Sequence, residues 1–490
     1  MTVLTSRQQT LGRIFAAVPD VRWPNTHGHM TLDSRAVKEN SIFVALPGGR
    51  QDGRDYIRQA LERGAALVLA EDDGIAAGVS ADSRVVSVPS LRAMLPELAK
   101  DFYGDPSQIM SLAAVTGTNG KTSVVEFIGQ LLRSMGVGAG CMGTLGARLE
   151  AAPIEAVNTT PDVLTINHQL ADWRNQGVRH AALEASSHAL HQGRLESLSL
   201  HTGVFTNLTR DHLDYHATAK QYAAAKLSLF EKFDLQRSIF NADDPVARQV
   251  LTVAKVSAIG ISLEGAEAGV QVAVQSMRPM VLQIQSPWGA AEIKVELSGR
   301  FNAFNVVAAV IAVTGMGFEF QQVCSAAENL LPVPGRMERI LMSGNRLAVV
   351  DYAHTPAALE SALQTLRDET MGRLWVVFGC GGDRDPGKRS LMGRSAARWA
   401  DHIVVTSDNP RGEEPGKIIS EVMTGCGSQA EVVVDRAEAI RHALAMAESG
   451  DTVLVAGKGH EEYQDIAGVR LPFSDQQVLS ALQSADGVRL

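Results

Sequence analysis

Residues 109–136 constrain this chain more than any other stretch. An apolar run from Ile109 to Val115, interrupted only by Ser111, leads into TGTNGKTS (116–123) and then VVEFIGQLLRSMG (124–136). A strand, a glycine turn and a helix in that order make a cradle for phosphate. Gly117 and Gly120 lack a Cβ, so the backbone can curl and aim its N–H groups inward. Val124, Phe127, Ile128, Leu131 and Met135 recur at helical spacing and give the helix a buried face, with Gly136 as its stop. A helix N-terminus carries only about half a positive charge. A triphosphate therefore needs Lys121 as well, and a magnesium ion held by Thr122. The strict P-loop pattern asks for glycine where this chain has Val115. The GKTS ending, set between a good strand and a good helix, still favours ATP over an ordinary turn, but it does not say which reaction follows.

A chain of 490 residues accommodates two to four domains. Its 45% hydrophobic and 20% charged content suits ordinary globular cores. No apolar run approaches the roughly 18 residues that span a bilayer, and Arg13 breaks the short segment after Arg7, which makes a poor signal peptide. A cytoplasmic protein is expected. Cys141, Cys324, Cys380 and Cys426 are widely spaced and read as reduced, mostly buried thiols. The net charge of −9 argues against a nucleic-acid surface. Anionic substrates must then be met by local arginines and lysines.

Taken in order, residues 1–90 read as a small α/β unit, with strands in SIFVALPG (41–48), AALVLA (65–70) and RVVSVPS (84–90) and a helix over 55–63. The loops LDSR (32–35) and GGRQDGRDY (48–56) could dock a phosphorylated ligand; from this segment alone they read as turns. Residues 91–333 hold the cradle. A helix over 91–107 ends near Gly104, strands follow at 180–186 and 202–208, and an antiparallel edge spans 273–297. RFNAFNVVAAVIAVTGMG (300–317) is a buried helix, and PVPG (332–335) breaks the chain. Residues 334–490 repeat one unit. LAVVDYAH, LWVVFGCGGDRD, HIVVTSDNPR, EVVVDR and TVLVAGKGHE each start as an apolar strand and end in polar or glycine residues. This pattern predicts a doubly wound parallel sheet with its polar clusters at the strands' carboxyl ends, where such sheets bind ligands.

Glu184 and His212 follow predicted strands in the cradle's own segment. With the Thr122 hydroxyl they could hold magnesium; alone, His212 reads as a hydrogen-bonded turn histidine. Lys226 lies on an apolar helical stretch, where a free ammonium is costly.

TGTNGKTS, LEASSH, NLTRDHLDYH, AAKLSLF, GRFNAFN, PGRME, DYAHTP, GGDRD and DNPR occur in one order. That series resembles the Mur ligase family of bacterial cell-wall synthesis, over nearly the whole chain and most densely from 114 to 461. DNPR with GKGHEEYQ resembles in particular the family members that add meso-2,6-diaminopimelate. The resemblance implies three α/β domains: a small N-terminal domain for the UDP substrate (1–90), a central P-loop ATPase-type parallel-sheet domain (91–333), and a C-terminal Rossmann-like domain for the incoming amino acid (334–490). It implies an ATP-dependent ligase that adds meso-2,6-diaminopimelate to UDP-N-acetylmuramoyl-L-alanyl-D-glutamate through an acyl phosphate, working as a monomer with Mg2+.

Residue by residue, the resemblance places ATP on Thr116, Gly117, Thr118, Asn119, Gly120, Lys121 and Thr122, with Asn305, Arg336 and Asp351. Lys121, Glu184, His212 and Lys226 would be catalytic. Thr122 and Glu184 would hold one magnesium, and His212 a second together with Lys226 as a carbamate. A carbamate turns this lysine into an anion, and it forms only from the neutral amine that burial favours. Leu32, Ser34, Gly49, Arg50, Gln51, Asn158, Thr159, Thr160, Ser186, Gln192 and Arg194 align with the UDP-substrate site. Arg389, Asp408, Asn409, Pro410, Arg411, Gly457 and Glu461 align with the amino-acid site. Arg54 stands where many relatives carry His, which leaves the detail of the UDP site open. A lysine-adding enzyme, a folylpolyglutamate-type ligase and a P-loop switch are the other readings. DNPR argues against the first two, and the polar loops of the last segment against the third.

Overall fold

The first strands are built from runs of Val, Ile, Leu and Ala that are buried on both faces, as a covered parallel sheet requires. The computed structural model describes residues 29–48, 51–72, 82–149 and 158–485. These pack as two compact units. The first takes in the described residues of Met1–Ala114, Val137–Gly203 and Ser228–Gln236; the second takes in Val115–Gly136, Val204–Leu227 and Arg237–Leu490.

In the first unit, β1 (Met30–Thr31), β2 (Ile42–Ala45), β3 (Leu67–Glu71) and β4 (Val85–Val88) pair in parallel in that order. One face buries Ile42, Val44, Leu67 and Leu69 against the helix Leu91–Tyr103, whose core also takes Val163 and Leu164 of the helix Val163–Asn175. The other face packs Phe43 and Val68 on Ile57 and Ala60 of the helix Ile57–Glu62. The helix Leu91–Tyr103 stops at Gly104, in the left-handed region at φ 71°, as its sequence predicts. A second group follows the order β5-β8-β6-β7, with β5 (Ser111–Thr116), β6 (Ala139–Gly143), β7 (Gly146–Arg148) and β8 (His180–Glu184). β5 starts at Ser111 rather than Ile109, because Pro106–Ile109 closes a 3-10 turn.

In the second unit, the carboxyl end of β5 is followed by the helix Lys121–Ser134, whose buried face carries Val124, Phe127, Ile128 and Leu131. This unit's strands are β9 (Thr202–Phe205), β10 (Arg237–Asn241), β11 (Ala258–Ser262), β12 (Val270–Met277), β13 (Met280–Ser286) and β14 (Gly289–Val295), in that spatial order. The last three are antiparallel, the edge predicted from the sequence. The helix Arg300–Gly315 is apolar all round and buried along nearly its whole length.

The C-terminal sheet has the order β15-β16-β20-β17-β18-β19, from β15 (Glu338–Met342), β16 (Arg346–Asp351), β17 (Leu374–Phe378), β18 (His402–Val405), β19 (Ala430–Val432) and β20 (Thr452–Ala456). All pairs are parallel except β15 with β16. Leu359, Leu363 and Met392 cover one face, and Ile440, Leu444 and Leu479 the other, so the sheet is doubly wound as expected. EVVVDR is a strand only to Val432; Asp435 then accepts the Glu438 amide proton at 2.8 Å and caps the helix Arg436–Met446. No helix among the described residues is long and apolar enough to cross a membrane. The four cysteines are free and buried.

Candidate active site

The cradle holds its shape through hydrogen bonds that leave it little freedom. Gly117 has φ 142° and Gly120 φ 85°. A Cβ on Gly117 would collide with the Thr206 hydroxyl, and one on Gly120 would lie 2.6 Å from Asn305 Oδ1. The second clash places Asn305 directly against the loop, and Asn302 Oδ1 accepts from Asn305 Nδ2 at 3.1 Å. The Thr118 amide donates to Asn207 O at 2.8 Å, and the Asn119 amide to Asn207 Oδ1 at 3.1 Å. Thr206 Oγ1 donates to Asn119 O at 2.6 Å, which ties the loop to the residue that follows β9.

Two lysines meet on one loop carbonyl. Lys121 Nζ donates to Gly117 O at 3.0 Å and to Thr118 O at 2.8 Å. Lys226 Nζ donates to the same Gly117 O at 2.6 Å and lies 4.5 Å from the centre of the Tyr222 ring. Lys226 is 1% exposed. Burial, reinforced by the charge on Lys121, pushes its ammonium well below the ordinary lysine range, against a smaller opposing pull from Asp211. A buried lysine that favours its neutral amine has the chemistry a carbamate needs.

Around the cradle, Arg336 Nη2 donates to Thr122 Oγ1 at 2.9 Å and its guanidinium lies 4.3 Å from the Tyr352 ring centre. Asp351 Oδ2 accepts from the Met337 amide at 2.7 Å. Burial raises the Asp351 carboxyl, with Arg336 and two backbone amides pulling the other way. His212 takes a left-handed conformation, and its Nε2 sits 3.4 Å from Asp211 Oδ2. The same Asp211 carboxylate has His354 Nε2 at 3.6 Å and Lys388 Nζ at 3.9 Å. Burial alone would raise Asp211, but His354, His212 and Lys388 together hold it well below the usual carboxylate range. Arg210 adds a forked pair to Asp385, at 2.9 and 3.2 Å. Asp211, His354, Lys388 and Tyr222 were not among the predicted site residues. NLTRDH and DYAHTP, which contain Asp211 and His354, were the signals that could have found the first two, and GGDRD ends three residues before Lys388.

The predicted amino-acid residues gather at the carboxyl ends of β17, β18 and β20. Arg389 is 1% exposed and committed to carboxylates: Nη2 donates to Glu413 Oε1 at 2.7 Å and Nη1 to Glu421 Oε2 at 2.8 Å. Arg411 Nη1 donates to Gly382 O at 2.8 Å. Its backbone is pinned as well, its amide donating to Asp465 O at 2.9 Å and its carbonyl accepting from the Ala467 amide at 2.7 Å. Pro410 is buried within the same turn. Asp408 Oδ1 accepts from the Asn409 amide at 2.7 Å. A Cβ on Gly457, at φ 118°, would lie 2.6 Å from Asp408 Oδ2, so only glycine leaves this carboxylate room. Burial alone would raise Asp408, but Lys458 and Arg436 hold it below its ordinary range. Asn409 Nδ2 donates to Glu461 Oε2 at 2.8 Å.

In the first unit, Thr160 Oγ1 donates to the Glu184 carbonyl at 2.7 Å and accepts from the Ser186 amide at 3.0 Å. Arg194 Nη1 donates to Thr160 O at 2.6 Å, and Nη2 to Gln192 Oε1 at 2.7 Å. Glu184 Oε1 accepts from the Thr144 amide at 2.8 Å, with Thr159 against the Thr144 hydroxyl at 3.4 Å. Thr159, Thr160, Glu184, Ser186, Gln192 and Arg194 therefore form one cluster, and Asn158 is exposed beside it. Ser34 Oγ donates to Gln59 Oε1 at 2.9 Å, Leu32 packs on the first sheet, and Gln51 is exposed. Gly49 and Arg50 lie outside the described residues. Arg54 is held by Asp52, its Nη2 donating to Oδ2 at 2.6 Å.

No group of three or more His, Cys, Asp or Glu poised for a metal occurs among the described residues. Magnesium beside a nucleotide is held by one or two protein ligands together with phosphate oxygens and water. In the second unit the Thr122 hydroxyl, the His212 imidazole and a carbamate on Lys226 are donors of the right kind, and in the first unit so is the Glu184 carboxylate.

Residues 27–103 match the Mur ligase family, catalytic domain; residues 115–313 match the Mur ligase middle domain; residues 335–459 match the Mur ligase, glutamate ligase domain. A UDP-N-acetylmuramoyl-L-alanyl-D-glutamate--2,6-diaminopimelate ligase of Chromobacterium violaceum is 42% identical over 93% of this chain and 94% of its own length. The ligase of the same name from Alkalilimnicola ehrlichii is 43% identical over 94% of this chain and 95% of its own. A solved structure of a UDP-N-acetylmuramoyl-L-alanyl-D-glutamate--2,6-diaminopimelate ligase, 35% identical, covers 99% of this chain and 100% of its own with a TM-score of 0.65.

Proposed function

Because the chain belongs to the Mur ligase family, we propose that it carries out the reaction its relatives are named for, with the residues described above. It is an ATP-dependent ligase that joins 2,6-diaminopimelate to UDP-N-acetylmuramoyl-L-alanyl-D-glutamate in peptidoglycan synthesis. Its fold is the family's three α/β domains. We assign these to 1–90, 91–333 and 334–490; the three matched stretches follow the same order, the first running on to residue 103. The observation that carries the chemistry is the convergence of Lys121 and the buried Lys226 on Gly117 O, which sets one lysine at a glycine cradle to meet a triphosphate's charge and holds the other toward the neutral amine that a carbamate requires.

The γ-carboxylate of the substrate's D-glutamate attacks the γ-phosphorus of ATP. The bond to the bridging oxygen breaks, ADP leaves, and an acyl phosphate remains. The amine of diaminopimelate then adds to the acyl carbon, loses a proton, and expels inorganic phosphate. Activation is required because a carboxylate is a poor electrophile. Lys121 and the loop amides hold the β- and γ-phosphates, and Asn305, Arg336 and Asp351 grip the nucleotide. Thr122 and Glu184 would hold one magnesium ion and His212 with carbamylated Lys226 a second. Bound there, the ions would supply charge neutralisation for the transferring phosphoryl. Asp408, Asn409, Arg411, Gly457 and Glu461 receive the meso amino acid, and Arg389 braces their loop through Glu413. Thr159, Thr160, Ser186, Gln192 and Arg194, with Leu32, Ser34 and the loop at Gln51, receive the UDP substrate. The enzyme works as a cytoplasmic monomer.

The test is product analysis with ATP, the UDP-dipeptide and either meso-diaminopimelate or lysine. A UDP-tripeptide carrying diaminopimelate, with ADP and phosphate in equal amounts, is the expected result. Tripeptide formed from lysine alone would move the chain to the lysine-adding branch.

A further inference from the structure

Lys458 is buried at the carboxyl end of β20, at 0% exposure, in a part of the site to which no ligand role has been given. Its Nζ donates to Asn409 Oδ1 and to Glu461 Oε2, both at 3.0 Å. Asn409 Nδ2 donates to that same Glu461 oxygen at 2.8 Å, so the three side chains close a ring. Asn409 is 2% exposed, and its Oδ1 also accepts from the Asp465 amide at 2.9 Å. The ring commits Asn409 Oδ1 and the Lys458 ammonium to internal bonds. Glu461 is the member that reaches outward, with its side chain 16% exposed. Its Oε2 takes two hydrogen bonds, and among the described residues its Oε1 takes none.

A carboxylate fixed through one oxygen presents the other in a set direction, and an ionised acceptor so placed suits a cation. The positive groups nearby face other duties: Arg436 forks onto Asp475 at 2.8 Å through both nitrogens, and Arg411 binds Gly382 O. We propose that Lys458 is a positioning residue that holds Asn409 and Glu461 so that Glu461 Oε1 receives the far ammonium of the diamino acid. The proposal rests on the ligase reading above and deepens it: the carboxylate at the amino-acid site is aimed by an internal lysine. Lys458 acts through Glu461 and does not touch the substrate.

The experiment compares meso-diaminopimelate with 2-aminopimelate, which keeps the attacking amine and both carboxylates but lacks the far ammonium. ATP and the UDP-dipeptide are saturating, and the full-length chain is used. The parent should favour diaminopimelate by about thirtyfold in kcat/KM, the worth of one charge-assisted contact. In Lys458→Met that preference should fall to about threefold or less, through a higher KM for diaminopimelate and little change for 2-aminopimelate. ATP affinity should stay at the parent value. A purely structural lysine would slow both amino acids alike and leave their ratio intact, and that result overturns the proposal. If Lys458→Met does not fold, Lys458→Gln is read in the same way, and if neither folds Lys458 is a structural residue and the assignment falls. A parent chain inactive with diaminopimelate brings down the ligase reading itself, and this failure is told apart because it appears before any substitution.

Discussion

Lys121 and Lys226 donate to the same oxygen, the carbonyl of Gly117, at 3.0 and 2.6 Å. Two ammonium groups on one neutral acceptor repel each other, and the one that is fully buried yields its proton more readily. The arrangement leaves the cradle short of negative charge. A triphosphate brings that charge from one side, and a carbamate on Lys226 would bring it from the other.

Lys121, the partly exposed member of the pair, should matter for turnover and little for folding. Lys121→Ala is expected to lower kcat/KM by about a thousandfold or more, since a cradle cation acts on the charge that develops in transfer. Its melting temperature should stay within a few degrees, roughly the effect of a partly exposed substitution. Parallel thermal melts and steady-state assays check this. A folded variant with near-parent turnover would remove the cradle assignment.

Lys226 should matter for turnover and for folding alike. Its folded pKa lies below the ordinary value of 10.5, so over the window between the two the unfolded chain binds more protons than the native one. Unfolding free energy contributed by this group therefore rises with pH through that window and is lost as pH falls. In carbon-dioxide-free buffer, Lys226→Met should remove this slope and raise stability near neutral pH by about 1 kcal/mol, while ligation is nearly abolished. Urea denaturation at a series of pH values reads the first effect. Identical slopes in parent and variant would show that Lys226 is not neutral in the fold.

The carbamate itself makes a separate claim. Lys226→Ala should be nearly inactive, and a short carboxylate in solution should restore part of its turnover by standing in for the lost anion. Stripping carbon dioxide from the parent should lower activity reversibly, and bicarbonate should return it. Electron density at Lys226 Nζ in a crystal with nucleotide and magnesium bound is the direct measurement; a bare ammonium there sinks the idea.

Much of this was readable because local pattern and tertiary role agree. The cradle, the capped helix ending at Gly104 and the parallel C-terminal sheet each follow from turn residues and apolar periodicity within a few residues of one another. Lys226 stood out for the same reason, as a charge on an apolar helix face. Lys458 did not, because its partner Asn409 lies 49 residues upstream and only the stacking of parallel strands brings the two together. Arg389 shows the same limit from the other side. Family likeness put it at the amino acid, but Glu413 and Glu421, which occupy its guanidinium, come from the loop and helix that follow β18. The edge strand β15 was missed because ERILM is neither a continuous apolar run nor a clean alternation.

We expect Arg411 to decide between amino acids that differ by one carboxylate. meso-Diaminopimelate carries a second carboxylate on its far carbon where lysine has none, and a guanidinium fork pairs such a group with two parallel bonds. Arg411 has one N–H on Gly382 O, its backbone is pinned between Asp465 and Ala467, and the rest of its fork has no hydrogen-bond partner among the described residues. The side chain is thus anchored at one corner and open at the others. Lysine in the same place would leave that charge half-buried and unpaired, and breaking a pair of this kind costs roughly 3 kcal/mol or more, on the order of a hundredfold in affinity. Arg411→Ala should therefore lose about a hundredfold in kcat/KM for diaminopimelate and change that for lysine by less than about threefold. The loop itself should survive, because the bonds of residue 411 to Asp465 and Ala467 run through its backbone. Paired steady-state assays with the UDP-dipeptide saturating make the measurement. An equal loss for both amino acids would assign Arg411 to holding the loop, and no loss for either would make it a solvated turn residue.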